Sequence, residues 1–111
     1  MYTTDVVTLP RFSFGRGLYA RFPALCAAWG RRFAVVGGET AMSKALPPLQ
    51  SAITDTPMQL LAALPYGGAC TLAAIERLAR EIAPLHADFI VGMGGGKALD
   101  TAKGVAHRLR R

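Results

Sequence analysis

Three consecutive glycines, Gly94, Gly95 and Gly96, stand between an apolar run and a helical period, and no other junction in the chain constrains its fold as much. Residues 87–93 carry Phe89, Ile90 and Val91 in succession, without polar alternation. That pattern fits a strand covered on both faces, as in a parallel sheet. Beyond Lys97, the residues Leu99, Ala102, Val105, Ala106 and Leu109 recur at spacings of three and four, the period of a helix over about 97–109 with one buried face. A strand that stops on glycines and turns straight into a helix has a chemical consequence. Glycines tolerate positive φ and let a ligand approach the backbone closely. The first N–H groups of the helix have no internal partner, and its dipole places partial positive charge at the same end. The junction predicts an anion site, and a diphosphate suits it.

The rest of the chain repeats the strand-then-helix rhythm. Residues 33–36 form a short apolar run that ends in Gly37-Gly38, and residues 58–64 form another that ends in Pro65 and the turn residues Gly67-Gly68. Between them a helix is expected, capped by Thr40 or Ser43 and broken at Pro47-Pro48, with a second piece over 48–53. Thr71 caps a further helix running to about 83, with the stripe Leu72, Ile75, Leu78, Ala79 and Ile82, and Pro84 follows it. Residues 6–14 are β-rich but interrupted by Pro10, which predicts an edge strand, and Gly15 and Gly17 mark a turn. Residues 18–29 carry Leu18, Phe22, Leu25, Cys26 and Trp29 on one helical face, with Pro23 awkward in the interior and Gly30 as the stop. Alternation at this spacing predicts an α/β fold: an open, mainly parallel, Rossmann-like sheet with helices on both faces. At 111 residues the chain has room for a single small domain, 1–111.

Composition narrows the function classes. Apolar residues make up 51% of the chain, enough for a buried core rather than disorder. No apolar stretch approaches the ~20 residues needed to span a bilayer. The N-terminus carries Asp5 and no basic cluster before an apolar run, so it does not read as a secretory leader. Cys26 and Cys70 lack ligand spacing and are expected to be reduced thiols packing as small hydrophobes, which points to a cytoplasmic protein. The net charge of +6 is concentrated in Arg108, Arg110 and Arg111, with Arg31 and Arg32 as a second group. Aromatic residues do not interleave with them as on a platform for single strands, so solvated helix ends are the expectation rather than nucleic-acid binding. His86 and His107 have no ligand-like partner and are expected to be structural or exposed.

Two familiar phosphate fingerprints fail on the glycine segment. The P-loop pattern would need glycine where Val91 stands and Ser or Thr where Ala98 follows the lysine. The dinucleotide fingerprint is matched at Gly92 and Gly94 but finds Lys97 at its sixth position. Lys97 is placed to add a second cation to a diphosphate site. Asp100 lies in the first helical turn, where an acid is favoured in any case.

The run from Gly94-Gly95-Gly96-Lys97 through Leu99-Asp100-Thr101-Ala102-Lys103 resembles the GGGK-x-LDTAK segment of glycerol dehydrogenases, members of the iron-containing, or group III, alcohol dehydrogenase superfamily. The opening from Leu9-Pro10 to Gly17 is similar to that family's first strand and turn, and 34–40 to its first dinucleotide strand. The resemblance implies that Gly94, Gly95, Gly96 and Lys97 hold the diphosphate of NAD and that Asp100 is the aspartate of the same motif. Many glycerol dehydrogenases place a ribose-binding aspartate where Gly38 stands here. The following Glu39 offers a carboxylate to the ribose hydroxyls, whereas Gly38 leaves room for a 2′-phosphate near Thr40 or Lys44. NAD is the expected cofactor, with NADP as the alternative.

The resemblance further implies an incomplete N-terminal dinucleotide-binding domain. The strands that finish the cofactor site, and the helical domain whose aspartate and histidines bind the catalytic zinc or iron, belong to the longer family members. The expected function is therefore the NAD(P)-binding portion of a metal-dependent alcohol or polyol oxidoreductase, inactive alone. The alternative is a non-catalytic interaction or oligomerisation module, pairing with a second copy or a catalytic partner chain through an unpaired last strand, 88–93 or a neighbour.

Overall fold

In the computed structural model residues 5–10 and 30–109 are described. Four segments form parallel strands: β1 (Asp5–Pro10), β2 (Arg32–Gly37), β3 (Gln59–Pro65) and β4 (Phe89–Gly94). The order across the sheet is β1-β4-β2-β3. Three helices connect or follow them: α1 (Glu39–Ile53), α2 (Leu72–Ile82) and α3 (Gly96–Leu109), with a 3₁₀ turn at Ala83–Leu85. The expected α/β, Rossmann-like architecture is what forms.

Strand periodicity explains how the sheet is covered on both sides. Successive side chains of a strand point to opposite faces. Phe33 and Val35 of β2 join Phe89, Val91 and Met93 of β4 in a cluster with Met42, Ala45 and Leu49 of α1. Ala34, Val36 and Ile90 face the other way, onto Leu78, Ala79 and Ile82 of α2 and Ala102, Val105 and Ala106 of α3. The Phe33 and Phe89 rings stack at 5.3 Å between centroids, fixing β2 against β4 on the α1 side. Glycine eases one close approach: a Cβ at Gly104 would lie 2.5 Å from Ile75 Cδ1, so a side chain there would make Ile75 turn aside where α3 packs on α2.

Several expectations are corrected. The helix α1 is continuous through Pro47 and Pro48. Both prolines are exposed, as are Ser43 and Lys44, whose carbonyls lose their usual i+4 donors, so those carbonyls lie on the solvent side. Gly38, not Thr40 or Ser43, occupies the N-cap, and the Ser43 hydroxyl donates to the Thr40 carbonyl within the helix. Leu72 is 72% exposed, so the buried stripe of α2 begins one turn later. On α3 the buried face is Ala98, Thr101, Ala102, Val105 and Ala106, while Leu99 and Leu109 are half-buried. The Thr101 hydroxyl is satisfied by donating to the Lys97 carbonyl at 2.7 Å. Cys70 is an exposed thiol rather than a packed one. The strand expected at an open edge, β4, lies between β1 and β2 with every residue buried, so it presents no edge. The expected helix over 18–29, residues 11–17, Cys26, Arg110 and Arg111 lie outside the described residues.

The arginine pair at 31–32 is also not a helix end. It opens β2 at the amino-terminal edge of the sheet, where the Asp88 carboxylate accepts from both backbone N–H groups, at 2.9 Å from Arg31 and 3.0 Å from Arg32. The Arg32 guanidinium donates to the Leu85 carbonyl at 2.7 Å. Gly30, at φ +132°, allows the approach, since a Cβ there would lie 2.4 Å from that of Asp88. Asp88→Ala leaves two exposed N–H groups to water and is expected to lower stability by about 0.5–1.5 kcal/mol, read as a shift in the urea midpoint at constant slope.

Candidate functional site

All four strands are parallel, so their carboxyl ends meet along one edge of the sheet. Ligand crevices in open α/β sheets form there, at the point where neighbouring strands send their helices to opposite faces. Here that point lies between β2 and β4. After β2 the chain enters α1 on one face, and after β4 it enters α3 on the other. A cleft of about 680 Å³ occupies the position, lined by residues following three strands. Gly37 to Ala41 and Lys44 come from the β2 end, Pro65 to Gly68 from the β3 end, and Gly94, Gly95 and Ala98 from the β4 end.

Two helix N-termini open on this cleft. In α1 the first internal bond runs from Met42 N to Gly38 O at 2.9 Å, and no side chain caps the helix. In α3 it runs from Leu99 N to Gly95 O at 3.0 Å. The amides of Glu39, Thr40 and Ala41, and of Gly96, Lys97 and Ala98, therefore have no partner within their helices. At α2, by contrast, Thr71 Oγ1 accepts from Ala74 N at 3.1 Å. Helix ends begun by glycine leave donors for a ligand, and two dipoles reinforce one another at the same place.

The glycines divide into two groups. Gly94 has φ +132°, and a Cβ on it would sit 3.0 Å from the Ala98 Cβ. At Gly37 a Cβ would meet the Met93 carbonyl oxygen at 2.5 Å, and at Gly92 the Ala102 Cβ at 3.0 Å. These three are dictated by the fold. At Gly95 and Gly96 a Cβ would meet nothing within 4 Å, and neither has φ in the left-handed range. Among the described residues, packing gives no reason for glycine at these two positions, whereas a group held against the helix amides would.

Of the residues singled out in the sequence, Gly38, Glu39, Gly94 and Gly95 come together as lining of the cleft. Gly96 begins α3 beside it. Lys97 lies exposed in the first turn of α3 and does not line it; Asp100, expected in that turn, is exposed in the next one, because the helix already begins at Gly96, and does not line it either. Thr40 and Lys44 do line it, on α1. Pro65, Gly67 and Gly68, in the sequence a strand end and a turn, line it too, as does Tyr66, which no sequence signal singles out. The available signal was the parallel sheet itself, which brings every strand-to-helix turn to the same edge.

A family model described as iron-containing alcohol dehydrogenase matches residues 10–111. A glycerol dehydrogenase of Escherichia coli O6:H1 is 36% identical over 76 residues, 68% of this chain and 20% of that protein. A glycerol dehydrogenase of Thermotoga maritima is 48% identical over 46 residues, 41% of this chain and 12% of that protein. The crystal structure of glycerol dehydrogenase from Schizosaccharomyces pombe superposes with a TM-score of 0.71 at 20% identity, covering 98% of this chain and 27% of that one. The chain thus spans a fifth or less of the curated relatives it matches.

Proposed function

Since the chain belongs to the iron-containing alcohol dehydrogenase family, we propose that it is the nicotinamide-dinucleotide-binding portion of a glycerol-dehydrogenase-like oxidoreductase. The observation that carries this is the convergence of two glycine-started helix N-termini on one cleft at the carboxyl edge of the sheet. The fit is physical. A diphosphate is a doubly charged acceptor, and the amides beginning α1 and α3 are donors without partners in their helices. The open space above Gly95 and Gly96 admits it against the backbone.

In this reading Gly94, Gly95 and Gly96 cradle the diphosphate, and Lys97 adds long-range positive charge from the first turn of α3. Asp100, one turn into α3, steadies the loop. Gly38 and Glu39 meet the adenosine ribose: the Glu39 carboxylate accepts from a ribose diol and repels a 2′-phosphate, while Lys44, also in the cleft, acts in the opposite sense. The balance favours NAD over NADP. The bound cofactor supplies the hydride acceptor of alcohol oxidation. Among the described residues no three His, Cys, Asp or Glu side chains come together to hold a metal ion, and no helix is long and apolar enough to cross a membrane. No metal-assisted step is assigned to these residues.

The test is a titration of the chain with NADH and with NADPH, followed by nucleotide fluorescence. Saturable binding of NADH, tighter than NADPH, is expected, and Glu39→Gln should narrow the difference by several-fold. Absence of any saturable binding to the folded chain would overturn the proposal.

A further inference from the structure

Thr101 is the one buried polar side chain among the described residues, enclosed with Ala98, Ala102 and Val105 on the inward face of α3. Packing alone would be met as well by valine, which has nearly the same outline and no hydroxyl to desolvate. The Thr101 hydroxyl is satisfied locally, by donating to the Lys97 carbonyl at 2.7 Å. In the helical pattern that carbonyl already accepts from the Thr101 amide. The side-chain bond is therefore an addition to the helix and replaces no missing partner.

The effect of this bond lies at the other end of the peptide it touches. The Lys97 carbonyl and the Ala98 N–H belong to one planar trans peptide group and point in opposite directions. The carbonyl points along the helix to Thr101. The N–H points out of the helix start, where it is among the amides that have no partner within α3. Ala98 lines the cleft, and Thr101 does not. Holding the carbonyl from the buried side therefore fixes the tilt of a donor on the ligand side. It also polarises the group, because an amide whose carbonyl accepts a further hydrogen bond is itself a stronger donor.

We propose that Thr101 is a positioning residue for the anion cradle: its buried hydroxyl, acting through the Lys97–Ala98 peptide, orients and strengthens the Ala98 N–H as a donor to a diphosphate. The inference rests on the dinucleotide reading above and adds to it a residue that touches no ligand. It accounts for a hydroxyl at a fully enclosed position, one turn behind a donor that faces the cleft.

The test uses the whole chain and two probes, inorganic pyrophosphate and NADH, with affinities from calorimetry, and follows the Ala98 amide of the ligand-free chain by heteronuclear NMR. Thr101→Val keeps the packing and removes the bond. It is expected to weaken both probes by about two- to fivefold, with a melting temperature equal to or above the parent's. Thr101→Ser keeps the bond and loses a methyl contact. It is expected to bind both probes like the parent while melting lower. The two variants thus exchange order between affinity and stability, which packing by itself does not produce. The Ala98 amide nitrogen should resonate upfield in the valine variant relative to the serine one. Binding of pyrophosphate by folded Thr101→Val as tightly as by the parent would sink the positioning role while leaving the dinucleotide site intact. Affinity losses that follow the melting temperature across the two variants would sink it equally. If the valine variant does not fold, Thr101→Ser against Thr101→Ala decides instead: tighter binding by serine supports the role, and equal binding overturns it. Failure of the parent chain to bind either pyrophosphate or NADH would remove the dinucleotide reading and the positioning role with it.

Discussion

Gly95→Asp is expected to abolish dinucleotide binding by at least about a hundredfold while leaving the melting temperature unchanged or slightly higher. The two effects have separate physical origins. Gly95 is exposed, its φ lies outside the left-handed range, and a Cβ there meets no atom within 4 Å, so the folded chain accepts a side chain at no steric cost. Its carbonyl receives the first internal bond of α3, the position where aspartate is among the favoured residues, exceeding glycine by a few tenths of a kcal/mol. The same carboxylate accepts from the first-turn amides and puts a negative charge where the diphosphate would sit. At a separation of ~4 Å two such charges repel by several kcal/mol at an effective dielectric of about 20. Thermal melts and NADH titrations of one preparation read both quantities. If Gly95→Asp bound NADH like the parent, the loop would not be the cradle, however well the fold survived.

The opposite pattern is expected at Gly37, the last residue of β2, which lines the same cleft. Gly37→Ala should cost about 3 kcal/mol, roughly ten or more degrees in Tm. The added Cβ would lie 2.5 Å from the Met93 carbonyl oxygen and 3.0 Å from Met42 Cγ. The methionine side chain can rotate away, but the carbonyl belongs to the central strand and already accepts from Gly38 N at 3.1 Å. Relief requires β2 and β4 to part at the mouth of the cleft, where the Gly37 carbonyl also accepts from Tyr66 N. Gly38→Ala is the control. Its backbone is extended at φ −76°, and its Cβ would meet only the Tyr66 ring at 3.8 Å, so less than about 1 kcal/mol should be lost, as at an N-cap that trades glycine for alanine. Urea midpoints for the two variants within error of each other would show that the strands yield more easily than the contact distances imply.

Local signals in this chain were legible wherever one residue's neighbours in sequence are also its neighbours in space. The runs at 33–36 and 87–93 announced buried parallel strands because both faces of β2 and β4 are covered. Thr71 announced a helix start because its hydroxyl reaches the amide three residues on. Pro47-Pro48 misled for a reason that is tertiary: Ala45 and Leu49 are buried against the sheet and hold α1 together, while the carbonyls deprived of donors lie on its solvent side. Leu72 misled in the other direction, since its helical period was sound but the residue is 72% exposed and, among the described residues, belongs to neither core cluster.

By itself, then, the sequence determined the α/β class and the glycine turns that close β2, β3 and β4, all of which follow from backbone freedom and short-range periodicity. Only the tertiary structure decided that β4 is central rather than an edge, that the turn at Tyr66-Gly67-Gly68 shares a cleft with the glycine triplet, and that Lys97 and Asp100 stand outside its lining. Strand order and the meeting of distant turns depend on which side of the sheet each connection takes. That choice is made by long-range packing of the two helix layers, which no local window of residues contains.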